Sequence, residues 1–216
     1  MKDKEIINII LAIATLGIVY GFKDIIELNI QAFSTILGFS AIIIGINILS
    51  KKIVASRLDA DVEHEIWQMK RFGFHPGDNF KKSISAGILL PLFITIVTLG
   101  FINLTTVMTY ETRALKRRAA KRFGPYSFTE MTDFHNALVG AAGIISCLLV
   151  TFVTYWLPGD SWVILGKMAT FYAFFNMFPM SKLDGSQIYF GSRVLWSVLA
   201  AITLGFILYV YFILLV

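Results

Sequence analysis

The residues of this sequence that could do chemistry are few, and the densest group lies at the end of an apolar run, from Asn176 to Gly185. This segment reads Asn-Met-Phe-Pro-Met-Ser-Lys-Leu-Asp-Gly, so an amide, an ammonium and a carboxylate follow one another within ten residues. Taken alone, these residues are also typical of a helix that stops near Pro179 and continues into an Asp-Gly turn. Whether Asp184 takes part in a chemical site or only in such a turn depends on the elements that position it.

The elements available for this purpose are apolar helices. Hydrophobic residues make up 56% of the 216 positions and charged residues only 15%, against roughly a quarter charged in soluble domains. A helix needs about 20 apolar residues to cross a hydrocarbon layer about 30 Å thick. The uncharged runs near that length are 6–22, 28–50, 83–110, 134–159, 168–181 and 194–216; the fifth must begin near Ser161 and tolerate Lys167. We therefore predict one polytopic membrane domain over 1–216, all-α, with five to six transmembrane segments and small polar connections.

The distribution of charge predicts the orientation of these segments. Many of the lysines and arginines behind the net charge of +5 fall in the connections 51–82 and 111–133, and basic connections usually stay on the cytoplasmic side. Six straight spans from a cytoplasmic N-terminus would place 111–133 outside. We therefore predict that the run 83–110, which contains Pro91 and two glycines, enters the bilayer and returns. The connections 51–82, 111–133 and 182–193 are then cytoplasmic, and 158–161 is outside.

This charge pattern also bears on partners and location. Retention at the cytoplasmic face of the cell membrane accounts for the basic clusters, so the expected partner is the lipid bilayer and no nucleic acid is expected. The sequence leaves the oligomeric state open.

The pattern Asn-x-x-Pro-x-x-x-Leu-Asp-Gly resembles the signature of the site-2 protease family, which are intramembrane zinc metalloproteases. It is carried by Asn176, Pro179, Leu183, Asp184 and Gly185. The segment 140–144, Gly-Ala-Ala-Gly-Ile, is similar to the family's Gly-x-Ala-Gly-Pro, with isoleucine in place of proline. The resemblance covers roughly residues 40–195. It implies that Asp184 stands at the position of the third zinc ligand and Asn176 near the substrate channel.

The same family carries His-Glu-x-x-His on an earlier helix, because histidines at i and i+4 share a face and the glutamate acts as general base. This sequence does not contain that motif. In the preferred register, the three positions fall on Asn47, Ile48 and Lys51. A protonated lysine cannot donate a lone pair to zinc, and isoleucine cannot accept a proton from water. The register therefore predicts a protein without zinc and without peptidase activity.

A second register treats His64-Glu65-Ile66-Trp67-Gln68 as a damaged form of the motif. If this stretch is helical, one face carries Asp61, His64, Glu65 and Gln68, which with Asp184 would make a carboxylate-rich zinc site. The stretch 61–71 is too polar to lie in a bilayer, whereas 47–51 ends an apolar run. For this reason the second register is the alternative.

The predicted topology brings Asn47, Lys51 and Asp184 to the same membrane face. We expect Lys51 to pair with Asp184 where the family would hold zinc; the other possibility is two separately hydrated charges.

These sequence features predict three candidate functions. The first is a non-catalytic relative of the family that binds a partner's transmembrane helix or scaffolds a membrane complex. The second is a metallopeptidase with the unusual ligand set, and the third a small transporter or channel. The third depends on Lys167 and Asn176 in apolar surroundings, although a lysine there can also extend to the interface.

Overall fold

The structure, a computed structural model, describes residues 3–71, 79–115 and 131–213. Its helices are α1 (Asp3–Tyr20), α2 (Phe22–Ile26), α3 (Ile30–Arg57), α4 (Ala86–Val97), α5 (Asp133–Thr154), α6 (Asp160–Asn176), α7 (Asp184–Gly191) and α8 (Arg193–Ile213). Its strands are β1 (Ala60–Ile66), β2 (Met69–Arg71), β3 (Asn79–Ile84) and β4 (Met108–Ala114).

Three described helices are long and apolar enough to cross a membrane: Ile30–Arg57, Asp133–Tyr155 and Arg193–Tyr211. They are compatible with a membrane protein. Helix α1 begins with three charged residues and α6 has 17 residues, so neither reaches the same length and apolarity. The predicted total of five to six spans stays a prediction.

The prediction of an all-α fold is wrong for the described parts of the polar connections, which contain strands. Strand β1 pairs antiparallel with β4 over seven residues, from Ala60 opposite Ala114 to Ile66 opposite Met108, and β2 pairs with β3. In β1 every second side chain is buried, as in a strand that covers a core with one face. The alternation of small or apolar and charged residues over 60–66 carries this signal, and it prevails over the helical interpretation of the same residues.

The run 83–110 doubles back instead of crossing in one straight helix. Helix α4 occupies only 12 of its residues, and the chain turns at Gly100, whose φ of 77° is in the left-handed region that favours glycine. At the start of the run, the Gly87 amide donates to the Trp67 carbonyl at 2.8 Å; at its end, the Trp67 amide donates to the Val107 carbonyl at 2.9 Å. Both ends therefore lie beside Trp67, which is the chain path that a re-entrant segment requires.

The main hydrophobic core lies where α5 packs between α3, α6 and α7. Ile44 of α3, Ile144 of α5 and Tyr172 of α6 are among its buried residues. The β1–β4 sheet packs against α1 and α3, so one end of the helical core has a mixed helix-and-strand cover. The polar site described next lies at that junction.

Candidate functional site

Lys51 and Asp184 form a buried ion pair. Lys51 Nζ lies 2.6 Å from Asp184 Oδ2, and the two side chains are 2% and 1% exposed. The predicted pairing is present, and the alternative of two separately hydrated charges is excluded. Because burial removes both groups from water, each charge depends on the other for its stabilisation.

Helix α3 directs Asn47 and Lys51 to the same place on α5, since residues four apart share a helical face. Both side chains lie against Gly143, where a β-carbon would collide with Lys51 Cε and Asn47 Nδ2. Asn47 Nδ2 is also 3.8 Å from Cys147 Sγ. The absent side chain at Gly143 therefore provides the space in which the ammonium reaches Asp184. Ile48, the position next to Asn47, is only partly buried.

Asp184 is the first residue of α7, so its carboxylate lies at the positive end of a helix dipole. The following glycine is required, because a β-carbon at Gly185 would overlap the Met177 carbonyl. One carboxylate oxygen contacts Lys51, and the other, Oδ1, is buried without a hydrogen-bond partner among the described residues. The Leu-Asp-Gly segment thus places a charged group inside the protein through a tight contact between α7 and the end of α6.

Tyr110 of β4 closes the site on the side of the sheet. Its ring centroid is 4.6 Å from Lys51 Nζ, within the range of a cation–π contact. Its hydroxyl donates to the Asn136 carbonyl at 2.8 Å, and a β-carbon at Gly140 would lie 2.6 Å from that hydroxyl oxygen. Lys51 is therefore held between a carboxylate and the face of an aromatic ring.

A second charged cluster joins α1, α3 and β1 next to this pair. Glu5 Oε1 lies 2.7 Å from Lys52 Nζ and 3.2 Å from His64 Nδ1, and His64 is directly opposite Tyr110 in the strand register. Burial, followed by the positive charge of Lys51, lowers the pKa of His64 to about 3. The imidazole is therefore neutral at neutral pH.

The alternative ligand set is not brought together. Residues 60–66 form a strand instead of a helix, so His64 faces the core while its neighbour Glu65 and the more distant Asp61 are exposed. Gln68 lies beyond the end of β1. Across the described ranges, no three histidine, cysteine, aspartate or glutamate side chains come together as metal ligands. The prediction that residues 61–68 form a helix with these side chains on one face is therefore wrong.

Three further residues of the motif, Asn176, Pro179 and Leu183, differ in their burial. Asn176 is 1% exposed; its Nδ2 donates to the Tyr172 carbonyl at 2.9 Å, and its Oδ1 has no hydrogen-bond partner within the described part of the chain. Pro179 is exposed, just beyond the end of α6, whereas Leu183 is buried. The segment therefore combines a helix end, a turn and a buried carboxylate.

A polar groove of about 440 Å³ lies between β4, α5 and α7 and is lined in part by Tyr110. Across it, Lys182 Nζ lies 2.7 Å from Glu111 Oε1, and Gln187 Nε2 donates to the Tyr110 carbonyl at 3.0 Å. The Tyr110 ring thus contacts the buried pair while the same residue lines the groove.

Sequence reasoning missed three parts of this site: Tyr110, the Glu5 cluster and the space at Gly143. The alternation in 60–66 was the available signal for the sheet, and hence for the pairing that places Tyr110. No local pattern links Glu5 to His64.

No protein-family model, curated protein or solved structure matches this chain.

Proposed function

We propose that this chain is a non-catalytic, multi-pass membrane protein of the site-2 protease type, which binds a partner's transmembrane helix or scaffolds a membrane complex. The buried pair of Lys51 with Asp184 is the observation that carries this proposal. By the resemblance, these two residues stand where the family would have two of its three zinc ligands.

The chemistry of the side chains supports a charge pair in place of a hydrolytic centre. An ammonium at Lys51 repels a second cation and has no lone pair to donate. The amide of Asn47 shares its helical face, and Ile48 has no group that could take a proton from water. The site then stabilises the packing of α3, α5 and α7 against one another.

The proposal includes the orientation of the protein in the membrane. The protein lies in the cell membrane with its N-terminus in the cytoplasm, since the basic connections 51–82 and 111–133 then share the cytoplasmic side. The doubled-back path of 83–110 supports this orientation, because it returns the chain to Trp67.

A place for the partner helix is the apolar groove of about 330 Å³ between α6 and α8. It is lined by Phe174 of α6, by Phe178 just beyond the end of α6, and by Trp196, Ala200 and Ala201 of α8. Small residues on one helix let another approach closely, and the aromatic rings supply a large contact area. The groove adjoins the segment 176–185.

Restoration of the metal ligands tests the ancestry of the site. The triple variant Asn47→His, Ile48→Glu and Lys51→His should bind about one zinc per chain, measured by elemental analysis of purified protein, and the wild type should not. Adding Asp184→Asn should weaken zinc binding. A matched control shifts the motif by one position, as Ile46→His, Asn47→Glu and Ser50→His, so that both histidines leave positions 47 and 51, whose side chains lie against Gly143.

Two results would contradict the proposal. Zinc near one per chain in the wild type, lost on His64→Ala, would favour the metallopeptidase alternative. Zinc binding by the shifted control but not by the triple variant would show that positions 47, 48 and 51 are not the ancestral ligands.

Site-specific crosslinking tests the partner helix. A photoreactive residue at Ala200, in the groove, should crosslink in native membranes to one transmembrane segment that mass spectrometry can identify. The control position is Ile10 of α1, which is 59% exposed and lies outside the groove. The same crosslinked products from both positions, or lipid adducts alone, would argue against a partner helix in the groove.

A further inference from the structure

The chain that returns from the tip of the doubled-back run has neither helix nor strand over residues 103–107. The Thr105 hydroxyl donates to the Phe171 carbonyl at 3.3 Å, and Phe171 lies well inside α6. Non-helical backbone within a membrane protein is tolerated where it is buried in protein or lines a polar cavity. The segment is therefore a candidate binding site for a polar ligand.

Two side-chain oxygens of this segment are buried and have no hydrogen-bond partner among the described residues: Asn103 Oδ1 and Thr106 Oγ1. Thr106 is only 4% exposed. Threonines nearby differ, because Thr105 is bonded to α6 and the Thr95 hydroxyl donates to the Pro91 carbonyl at 2.8 Å. Buried polar groups normally have partners, so these two oxygens require an explanation.

The main chain of the same segment also offers oxygens. In the backbone hydrogen bonds of the described residues, the Val107 carbonyl accepts from Trp67, while the carbonyls of 103–106 accept none. A helix would have used these carbonyls internally. Outside a helix they accept no backbone hydrogen bond, and the same short segment carries the Thr106 hydroxyl and the Asn103 amide.

The oxygens are all neutral, and residues 98–107 contain no charged side chain. Carbonyl, amide and hydroxyl oxygens replace the hydration shell of monovalent cations in membrane proteins, often where a helix is interrupted. Calcium and magnesium sites usually include carboxylates. The chemistry of the segment therefore matches a small monovalent metal ion.

We propose that the return segment 103–107 binds a small monovalent cation through the Thr106 hydroxyl, the Asn103 amide oxygen and free main-chain carbonyls. This site is distinct from the pair of Lys51 with Asp184 and does not depend on it. Binding fixes the return segment against α6.

Thermal unfolding of purified protein in sodium, potassium and choline chloride at equal ionic strength tests the proposal. One of the two metal ions should raise Tm saturably over choline, by about 2–4 °C if binding is worth a few-fold in the folding equilibrium. Thr106→Val should abolish the rise, and Thr106→Ser, which keeps the hydroxyl, should retain it. Thr95→Val is the matched control, because it removes a buried hydroxyl that already has a partner.

Three results would overturn the proposal: equal Tm values in all three salts, an ion response that survives Thr106→Val, or a response lost equally in Thr95→Val. The first would mean that water alone serves the two oxygens. If Thr106→Val does not fold, Asn103→Leu provides the second variant, with the same expected loss of the ion response.

Discussion

Lys51 Nζ lies 2.6 Å from Asp184 Oδ2, and neither side chain is more than 2% exposed. The residues are 133 positions apart, so the contact joins α3 to α7 across the core. A buried charge that loses its partner typically destabilises a protein by about 3–5 kcal/mol. We therefore expect Lys51→Ala and Asp184→Ala each to lower the free energy of unfolding by that amount, and the double variant to cost less than the sum.

The measurement is denaturation of the four proteins of this double-mutant cycle under identical conditions. Lys182→Ala is the control, because Lys182 pairs with Glu111 at 2.7 Å but is 67% exposed; the expected loss is about 0–1 kcal/mol. Additive effects of Lys51→Ala and Asp184→Ala would show that their charges do not stabilise each other.

A second prediction concerns the space at Gly143. A β-carbon there collides with Lys51 and Asn47, so Gly143→Ala should destabilise the protein by about 1–3 kcal/mol through overpacking. Gly45→Ala in α3 is the matched control, since a β-carbon at Gly45 meets no atom within 4 Å. There the higher helix propensity of alanine should leave stability unchanged or raised by up to about 1 kcal/mol. Equal effects at both glycines would contradict the packing argument.

The pKa of His64 predicts a pH dependence of stability. Burial and the nearby Lys51 charge lower this pKa to about 3, from an ordinary value of 6.5. The unfolded chain therefore binds a proton below pH 6.5 that the folded protein does not bind until about pH 3. The contribution of His64 to stability is complete above pH 6.5 and falls with decreasing pH, by up to about 1.4 kcal/mol per pH unit.

His64→Gln should remove this part of the dependence, measured as Tm between pH 7.5 and 4.5. His135→Gln is the control at a less buried histidine. If the Tm of His64→Gln falls with decreasing pH as steeply as that of the wild type, His64 is not the source of this pH dependence.

The membrane orientation can be tested by cysteine labelling in a Cys147→Ser background. Cysteines in place of Arg113 and Lys182, whose side chains are 58% and 67% exposed, should react with an impermeant reagent only from the cytoplasmic side. A cysteine in place of Asp160, at the start of α6, should react only from outside. Labelling at Arg113 from outside would exclude the re-entrant topology for 83–110.

By itself, the sequence indicated the apolar helices, and the family resemblance with the predicted topology led to the expectation that Lys51 pairs with Asp184. Hydropathy is a local property, so runs such as 134–159 indicate their helices without knowledge of the fold. The spacing of Asn47 and Lys51 likewise fixes a shared helical face. In 60–66, the local signal for a strand was present in the alternation of residues, and the prediction of a helical face there was wrong.

Only the tertiary structure decided what surrounds the pair. Tyr110 reaches Lys51 because β4 pairs with β1, and Glu5 meets Lys52 and His64 because α1 packs against both α3 and β1. These contacts join residues far apart in the chain, and their geometry depends on small residues such as Gly143 on a third element. Local patterns specify the type of each segment, whereas the distance between two side chains depends on how the segments pack, which no single segment encodes.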